Sequence, residues 1–238
     1  MNIRPRLIFP VVIACLFLDV TFASGQEPNG TAVWATFNNT VELRPQMQIQ
    51  LSVDKREGED FSYSHWNMRA LISYRMKRLL SLKRSDIDEE NHYNLVVGAG
   101  YQYLHTDENG KTENESRIIV EATPRYHPGA DFLITDRNRI EFRWVEGVYG
   151  VRYRNKLVID KPLKIQTIGF TVYASGEMFY DRSYHSWNQN RYAFGVQLPS
   201  KRRIMLDIYY LRKNCTTCNP NHTDVLGLTL NLYFRRGK

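Results

Sequence analysis

Leu226-Gly227-Leu228-Thr229-Leu230-Asn231-Leu232-Tyr233-Phe234 alternates without a break. Leu226, Leu228, Leu230, Leu232 and Phe234 share one face, and Gly227, Thr229, Asn231 and Tyr233 share the other. A repeat of two is the mark of a β-strand with two unlike faces, whereas a helix would group its leucines three and four residues apart. The same period runs back along the chain. Ile204, Leu206, Ile208 and Tyr210 alternate with Arg203, Met205, Asp207 and Tyr209, and Tyr192, Phe194, Val196 and Leu198 alternate with Arg191, Ala193, Gly195 and Gln197. Further upstream, Ile140, Phe142 and Trp144 oppose Arg137, Arg139, Glu141 and Arg143, and Met68, Ala70, Ile72 and Tyr74 oppose Arg69, Ser73 and Arg75. Continued to a weak first strand at Ala32–Phe37, the pattern predicts roughly ten to twelve strands of about ten residues, the length that crosses a bilayer when tilted. The fold class expected is all-β: a single antiparallel up-and-down transmembrane β-barrel.

The connections are expected to alternate too. Pro199–Lys201, Asp160–Lys164 and His127–Asp131 read as tight turns, and Thr106–Ser116, Asp181–Gln189 and Lys213–Asp224 as long polar loops. Short turns at one end and long loops at the other suit an outer-membrane barrel with its long loops outside. Lys77–Asn91 is long at a short-turn end and predicts a short helix, whose best stretch is Met76–Asp88, or an excursion.

Composition narrows the alternatives. Across 238 residues the chain is 42% hydrophobic, 24% charged and 13% aromatic, with a mean hydropathy of -0.47. That average excludes a bundle of apolar helices, and the aromatic content excludes disorder. It does not separate a membrane barrel from an exported soluble β-barrel binding protein, because a barrel wall averages an apolar face with a polar one. Two features favour the membrane. The polar faces of adjacent strands carry Arg and Glu suited to cross-strand ion pairs. Aromatics gather at strand ends (Tyr101, Tyr103, Tyr126, Trp144, Tyr149, Tyr180, Tyr184, Trp187, Tyr209, Tyr210, Tyr233, Phe234), as interfacial girdles require.

The first residues read as a secretory signal. Arg4 and Arg6 precede an apolar run from Leu7 to Leu18, and small residues allow cleavage after Ala23 or Gly25. Residues 1–25 are therefore expected to be a Sec-type signal peptide and residues 26–238 the barrel, in the outer membrane of a Gram-negative cell. Cleavage removes Cys15 and leaves Cys215 and Cys218, which in an exported Asn/Thr-rich turn read as a disulfide clip. Metal binding would need another ligand beyond His222, and no cofactor is implied.

Asp136-Arg137-Asn138-Arg139-Ile140-Glu141-Phe142-Arg143, followed by Arg152-Tyr153-Arg154, resembles an R-x-R-x-E-x-R then R-x-R core. Glu177-Met178-Phe179, then Asn190-Arg191 with Gly195 four positions on, resembles an E-x-F … N-R-x-x-x-G segment. Together they resemble the bacterial family called domain of unknown function 2490, understood as outer-membrane β-barrels and frequent in Bacteroidetes-type bacteria. The resemblance implies a barrel and a location, with no activity attached. It also implies that Arg137, Arg139, Glu141, Arg143, Arg152, Arg154, Glu177 and Arg191 face the lumen. Glu121 joins them from its own strand pattern, making a candidate lumenal ion-pair network.

Several functions compete. An outer-membrane lipid hydrolase would need Ser, His and an orienting Asn or Asp, and Ser183, His185, Ser186 and Asn188 cluster in one loop. Glu121, Glu141 and Glu177 could act as paired carboxylates, although nearby arginines favour ion pairing. Lumenal arginines could make an anion-favouring channel for small anionic solutes. The reading preferred is a small barrel with a filled lumen, structural or narrow, whose partners are outer-membrane lipid and another envelope protein. A sequence pI of 9.3 invites a nucleic-acid reading. The basic residues alternate along strands and form no stripe with stacking platforms, so no nucleic acid is expected.

Overall fold

The structure is a computed structural model that describes residues 30–58, 63–76, 95–108, 110–129, 131–200, 203–218 and 220–234. The expected signal peptide, and the helix or excursion expected within Lys77–Asn91, lie outside the described residues. Eleven strands follow one another: β1 (Gly30–Arg44), β2 (Met47–Gly58), β3 (Tyr63–Met76), β4 (Leu95–Glu108), β5 (Lys111–Gly129), β6 (Phe132–Val145), β7 (Val148–Ile165), β8 (Ile168–Asp181), β9 (Ser186–Ser200), β10 (Ile204–Cys215) and β11 (His222–Phe234). Each pairs with its sequence neighbours, and β1 pairs with β11 to close the barrel. No described helix is long and apolar enough to cross a membrane, which says nothing about crossing by strands.

The closing pair departs from the antiparallel expectation. β1 and β11 run parallel, in register from Gly30 opposite Thr223 to Val41 opposite Phe234. Parity is the reason. Successive strands of a meander reverse direction, so the first and eleventh point the same way and can meet only in parallel. Closure also removes every free sheet edge.

Two of the predicted connections, the loop Thr106–Ser116 and the turn Asp160–Lys164, prove to be strand. β4 and β5 pair through the stretch Thr106–Ser116, up to Glu108 opposite Lys111. β7 continues through Asp160–Lys164 and turns at Gln166–Thr167. At the rim where β1 begins, Glu146 and Gly147 both adopt positive φ, 46° and 84°. This is the two-residue turn whose twist matches a hairpin, and glycine takes the left-handed position without strain.

Polarity is inverted relative to a water-soluble core. Along β3 the side chains of Met68, Ile72 and Tyr74 point outward and are exposed, Met68 by 57%, while Asn67, Leu71 and Ser73 are buried. Along β11 Leu226 and Leu228 are exposed while Val225, Thr229 and Asn231 are buried. The interior is mostly polar, with an apolar plug near one rim where Ala32, Trp34, Ala193, Leu211 and Val225 pack with Tyr209. Tyr209 therefore leaves the expected girdle, and Tyr233 shares the inner phase of Thr229 and Asn231. Tyr103, Trp144, Tyr149 and Trp187 of the expected girdle are exposed on the outer face near the rim where β1 begins, and Trp66, which that expectation did not include, joins them. The rings of Trp144 and Tyr149 lie tilted with centres 5.5 Å apart, and those of Tyr180 and Trp187 meet edge to face at 5.6 Å.

Gly227 shows how tightly the plug is built. A Cβ at this position would overlap the ring of Tyr209 on the neighbouring strand. Gly227→Val is expected to destabilise the barrel by roughly 1–3 kcal/mol, the usual cost of overpacking. Adding Tyr209→Ala should return part of that loss, read by urea unfolding of the refolded protein.

Candidate functional site

The inner faces of β5 to β9 carry one connected set of carboxylates and guanidinium groups. Period two places Glu115, Arg117 and Glu121 inside on β5, Arg137, Arg139, Glu141 and Arg143 on β6, and Arg152 and Arg154 on β7. Glu177 and Asp181 point inward from β8 and Arg191 from β9. Glu141 lies near the middle with a fully buried side chain. Its Oε1 accepts from Arg154 Nη1 at 2.6 Å, its Oε2 faces Arg117 Nη1 at 3.4 Å, and Arg139 Nη1 lies 3.8 Å away.

The links continue outward from this carboxylate. Arg139, only 2% exposed, gives Nε and Nη2 to Glu121 Oε2 at 2.9 and 2.7 Å. Arg154 Nη2 reaches Glu177 Oε1 at 2.8 Å, and Arg137 Nη2 reaches the same oxygen at 3.0 Å. Arg191 Nη1 lies 3.9 Å from Glu177 Oε2. Arg117 holds Glu115 through two bonds of 2.7 Å. Arg143 bridges Glu115 and Asp181, with Nη1 at 2.9 Å from Asp181 Oδ2. Arg152 donates Nε and Nη2 to that oxygen at 3.1 and 2.8 Å.

The structure thus brings together Arg137, Arg139, Glu141, Arg143, Arg152, Arg154, Glu177, Arg191 and Glu121. It adds Glu115, Arg117 and Asp181, which the sequence reasoning left out of the network. The signal for them was present: Arg117 shares the phase of Glu121, and Glu115 precedes it by two. Reading Thr106–Ser116 and Asp181–Gln189 as loops hid both acids.

The network cross-links neighbouring strands through planar, charge-assisted bonds. Glu141 and Glu177 each meet three arginines and Glu121 meets Arg139, so all three carboxylates are ion-paired. A second chain of contacts lines the wall across β2 to β4. Arg56 Nε meets Asp54 at 2.8 Å, Asn67 donates to Asp54, and Gln102 Nε2 donates to Asn67 at 2.7 Å. Arg56 and Arg191 also flank the Trp34 ring, at 4.3 and 5.1 Å from its centre.

The sequence profile described as "Protein of unknown function (DUF2490)" matches residues 31–223. The chain belongs to the DUF2490 family. The match begins in β1 and reaches into β11, so the whole ion-pair network of this DUF2490 barrel falls inside it. No curated protein matches the chain.

The other candidate groups of the DUF2490 barrel sit at the rim where β1 begins. Ser183 and His185 lie between β8 and β9, and Ser186 opens β9 opposite Asp181. Ser183 N donates to Asp181 Oδ1 at 2.9 Å, and His185 has a left-handed φ of 49°. Asn188 is buried and turns its Nδ2 towards Thr217 Oγ1 at 3.4 Å. These contacts shape a turn. Cys215 and Cys218 form a disulfide. Thr216 N inside that loop donates to Asn188 O at 2.9 Å, tying the connection between β10 and β11 to the start of β9. His222 Nδ1 meets Asn214 Oδ1 at 2.8 Å. Among the described residues no group of three or more His, Cys, Asp or Glu is placed to hold a metal ion.

Proposed function

We propose that this protein is an outer-membrane β-barrel, exported through the Sec pathway, whose ion-paired interior makes it a closed structural or interaction protein. The observation that carries this reading is the inverted polarity. Leucine, isoleucine and tyrosine cover the outside while Arg139 and Glu141 are buried within. Water would penalise such a wall, and hydrocarbon would favour it. The closed state follows from the side chains inside. An interior cross-braced from β5 to β9 by paired charges leaves a narrow path, and the Trp34–Tyr209 plug narrows one end further.

Two experiments test this. On cell fractionation the protein should sediment with the outer membrane and resist extraction by urea or carbonate. Recovery from the soluble periplasmic fraction would overturn the location. In planar bilayers the purified barrel should be electrically silent. Steady anion-selective steps would replace the closed reading with that of an anion channel. The same sample should leave phospholipid intact, and fatty-acid release abolished by Ser183→Ala or Ser186→Ala would instead assign a hydrolase.

A further inference from the structure

Across β6 and β7 the outer wall carries a cluster of polar side chains. On β6 the outward positions run Asp136, Asn138, Ile140, and on β7 they run Tyr153, Asn155, Leu157. In register, Ile140 faces Tyr153, Asn138 faces Asn155 and Asp136 faces Leu157. The polar members bond to one another. Asn155 Nδ2 donates to Asp136 Oδ1 at 2.6 Å and to Asn138 Oδ1 at 3.2 Å. Asn138 Nδ2 donates to Asp136 Oδ2 at 3.1 Å, and the Tyr153 hydroxyl donates to Asn138 Oδ1 at 2.5 Å. The cluster sits midway along β6, between aromatic residues at either rim.

Counting donors and acceptors shows what is left over. Both hydrogens of the Asn155 amide are used, as is the Tyr153 hydroxyl hydrogen. Asn138 Nδ2 also faces the carbonyl of Asp136 at 3.4 Å. A carboxylate has about four lone-pair positions, and two of those on Asp136 are taken. The cluster therefore offers acceptors to a visitor and withholds donors. An ionisable group at this depth of a lipid-facing wall marks a site that wants a partner.

Beside it lies a hollow of about 590 Å³ in the same outer surface. The row Tyr74, Val97, Ala122, Asn138 crosses four strands in register, and the adjoining row runs Ile72, Ala99, Val120, Ile140. Val97, Ala99 and Ala122 make a low floor between the taller Tyr74 and Tyr153, and Asn138 closes one end, with Asp136 just beyond it. Its volume falls in the range of roughly 300–1,000 Å³ usual for small-molecule sites. A plain hydrocarbon chain would fill the floor but leave the two remaining lone-pair positions of Asp136 without a donor. A second copy related by a two-fold axis would set hollow against hollow.

Resting on the outer-membrane reading of the wall, we propose that this slot binds a membrane lipid bearing a hydroxyl or amide N–H donor next to its hydrocarbon chain. The chain lies over Val97, Ala99 and Ala122, and the donor hydrogen-bonds to Asp136.

The test uses wild type, Asp136→Leu, the near-isosteric Asp136→Asn, and Ala99→Phe, each folded in phosphatidylethanolamine/phosphatidylglycerol vesicles. Each is incubated with equal amounts of N-palmitoylethanolamine, which has donors, and methyl palmitate, which has none. Bound lipid is then counted by native mass spectrometry from mild detergent. Wild type should favour the amide by about tenfold, as one hydrogen bond to a charged acceptor allows. Asp136→Asn should weaken that preference, Asp136→Leu should abolish it, and Ala99→Phe should retain neither probe. Equal retention of the two probes by wild type, or a preference that survives Asp136→Leu, overturns the proposal. So does a cross-linked dimer lost on Asp136→Leu, which would assign the face to a second copy. Flotation of the same vesicles separates the two readings. Proteins that float without discriminating the probes defeat the lipid site alone, and proteins that do not float defeat the membrane location and this site with it.

Discussion

Glu141→Gln should lower the unfolding free energy of the vesicle-embedded barrel by about 3–5 kcal/mol, the cost of removing one partner from a buried ion pair. The substitution keeps shape and volume and removes the charge that Arg154, Arg117 and Arg139 surround. Three guanidinium groups would then face one another with less counter-charge, in a space where solvent screens them little. Urea titration of the reconstituted protein reads the loss, and heat-modifiable migration on gels gives a second measure. Glu57→Gln is the control. Its partner Lys55 is on the outer face and both side chains are partly exposed, 30% and 26%. A pair of that kind contributes on the order of 0–1 kcal/mol. Combining Glu141→Gln with Arg154→Met should restore part of the loss, because it removes the guanidinium nearest the lost charge while Glu177 keeps Arg137 and Arg191. Equal effects at positions 141 and 57 would mean that the interior is wet and the network is not structural.

Leu228→Arg addresses the other side of the wall. Leu228 is exposed midway along β11, flanked by Ala35 across the seam and Ile208 on β10. A charge at the centre of a lipid-facing strand is expected to cost about 2–4 kcal/mol. In a barrel surrounded by water the same change at an exposed site would stay within about 0.5 kcal/mol. Refolding yield into vesicles and urea midpoint both report the difference. An arginine tolerated without loss at position 228 would place that face in water and remove the membrane reading.

Much of the wall could be read from period two, because a strand between an apolar outer face and a polar interior must alternate. The faces of β3, β6 and β11 follow directly from the spacing of Met68, Ile140 and Leu226 and their neighbours. The strand ends were harder to see. Where a strand rises past the apolar band its outward residues turn polar, and Thr106–Ser116 then looks like a loop although it is a hairpin. Glu115 was lost from the candidate network for that reason, and Asp181 because β8 reached further than expected. Apolar residues on the inner face were also hidden: Trp34, Leu71, Ile119 and Phe179 keep the inner phase, yet nothing in alternation separates a plug from a wall. The parallel seam follows from an odd strand count, and counting needs every strand end to be right. The outward Asp136 was visible only as part of an arginine-rich motif, because its meaning depends on which side of the sheet is dry.

The β1–β11 seam sets the order in which this chain can be assembled. Ten of the eleven strand pairings join neighbours in sequence and can form as soon as a hairpin exists. The remaining pairing ties Asn38 to Asn231, which bond side chain to side chain at 2.9 Å across 193 positions of chain. Until β11 is in place, β1 has one side of its backbone unpaired, and so does whichever strand is then last. Contacts so distant in sequence form late and slowly. The growing curved sheet keeps two raw edges and becomes a closed wall only when its final thirteen-residue strand docks alongside its first.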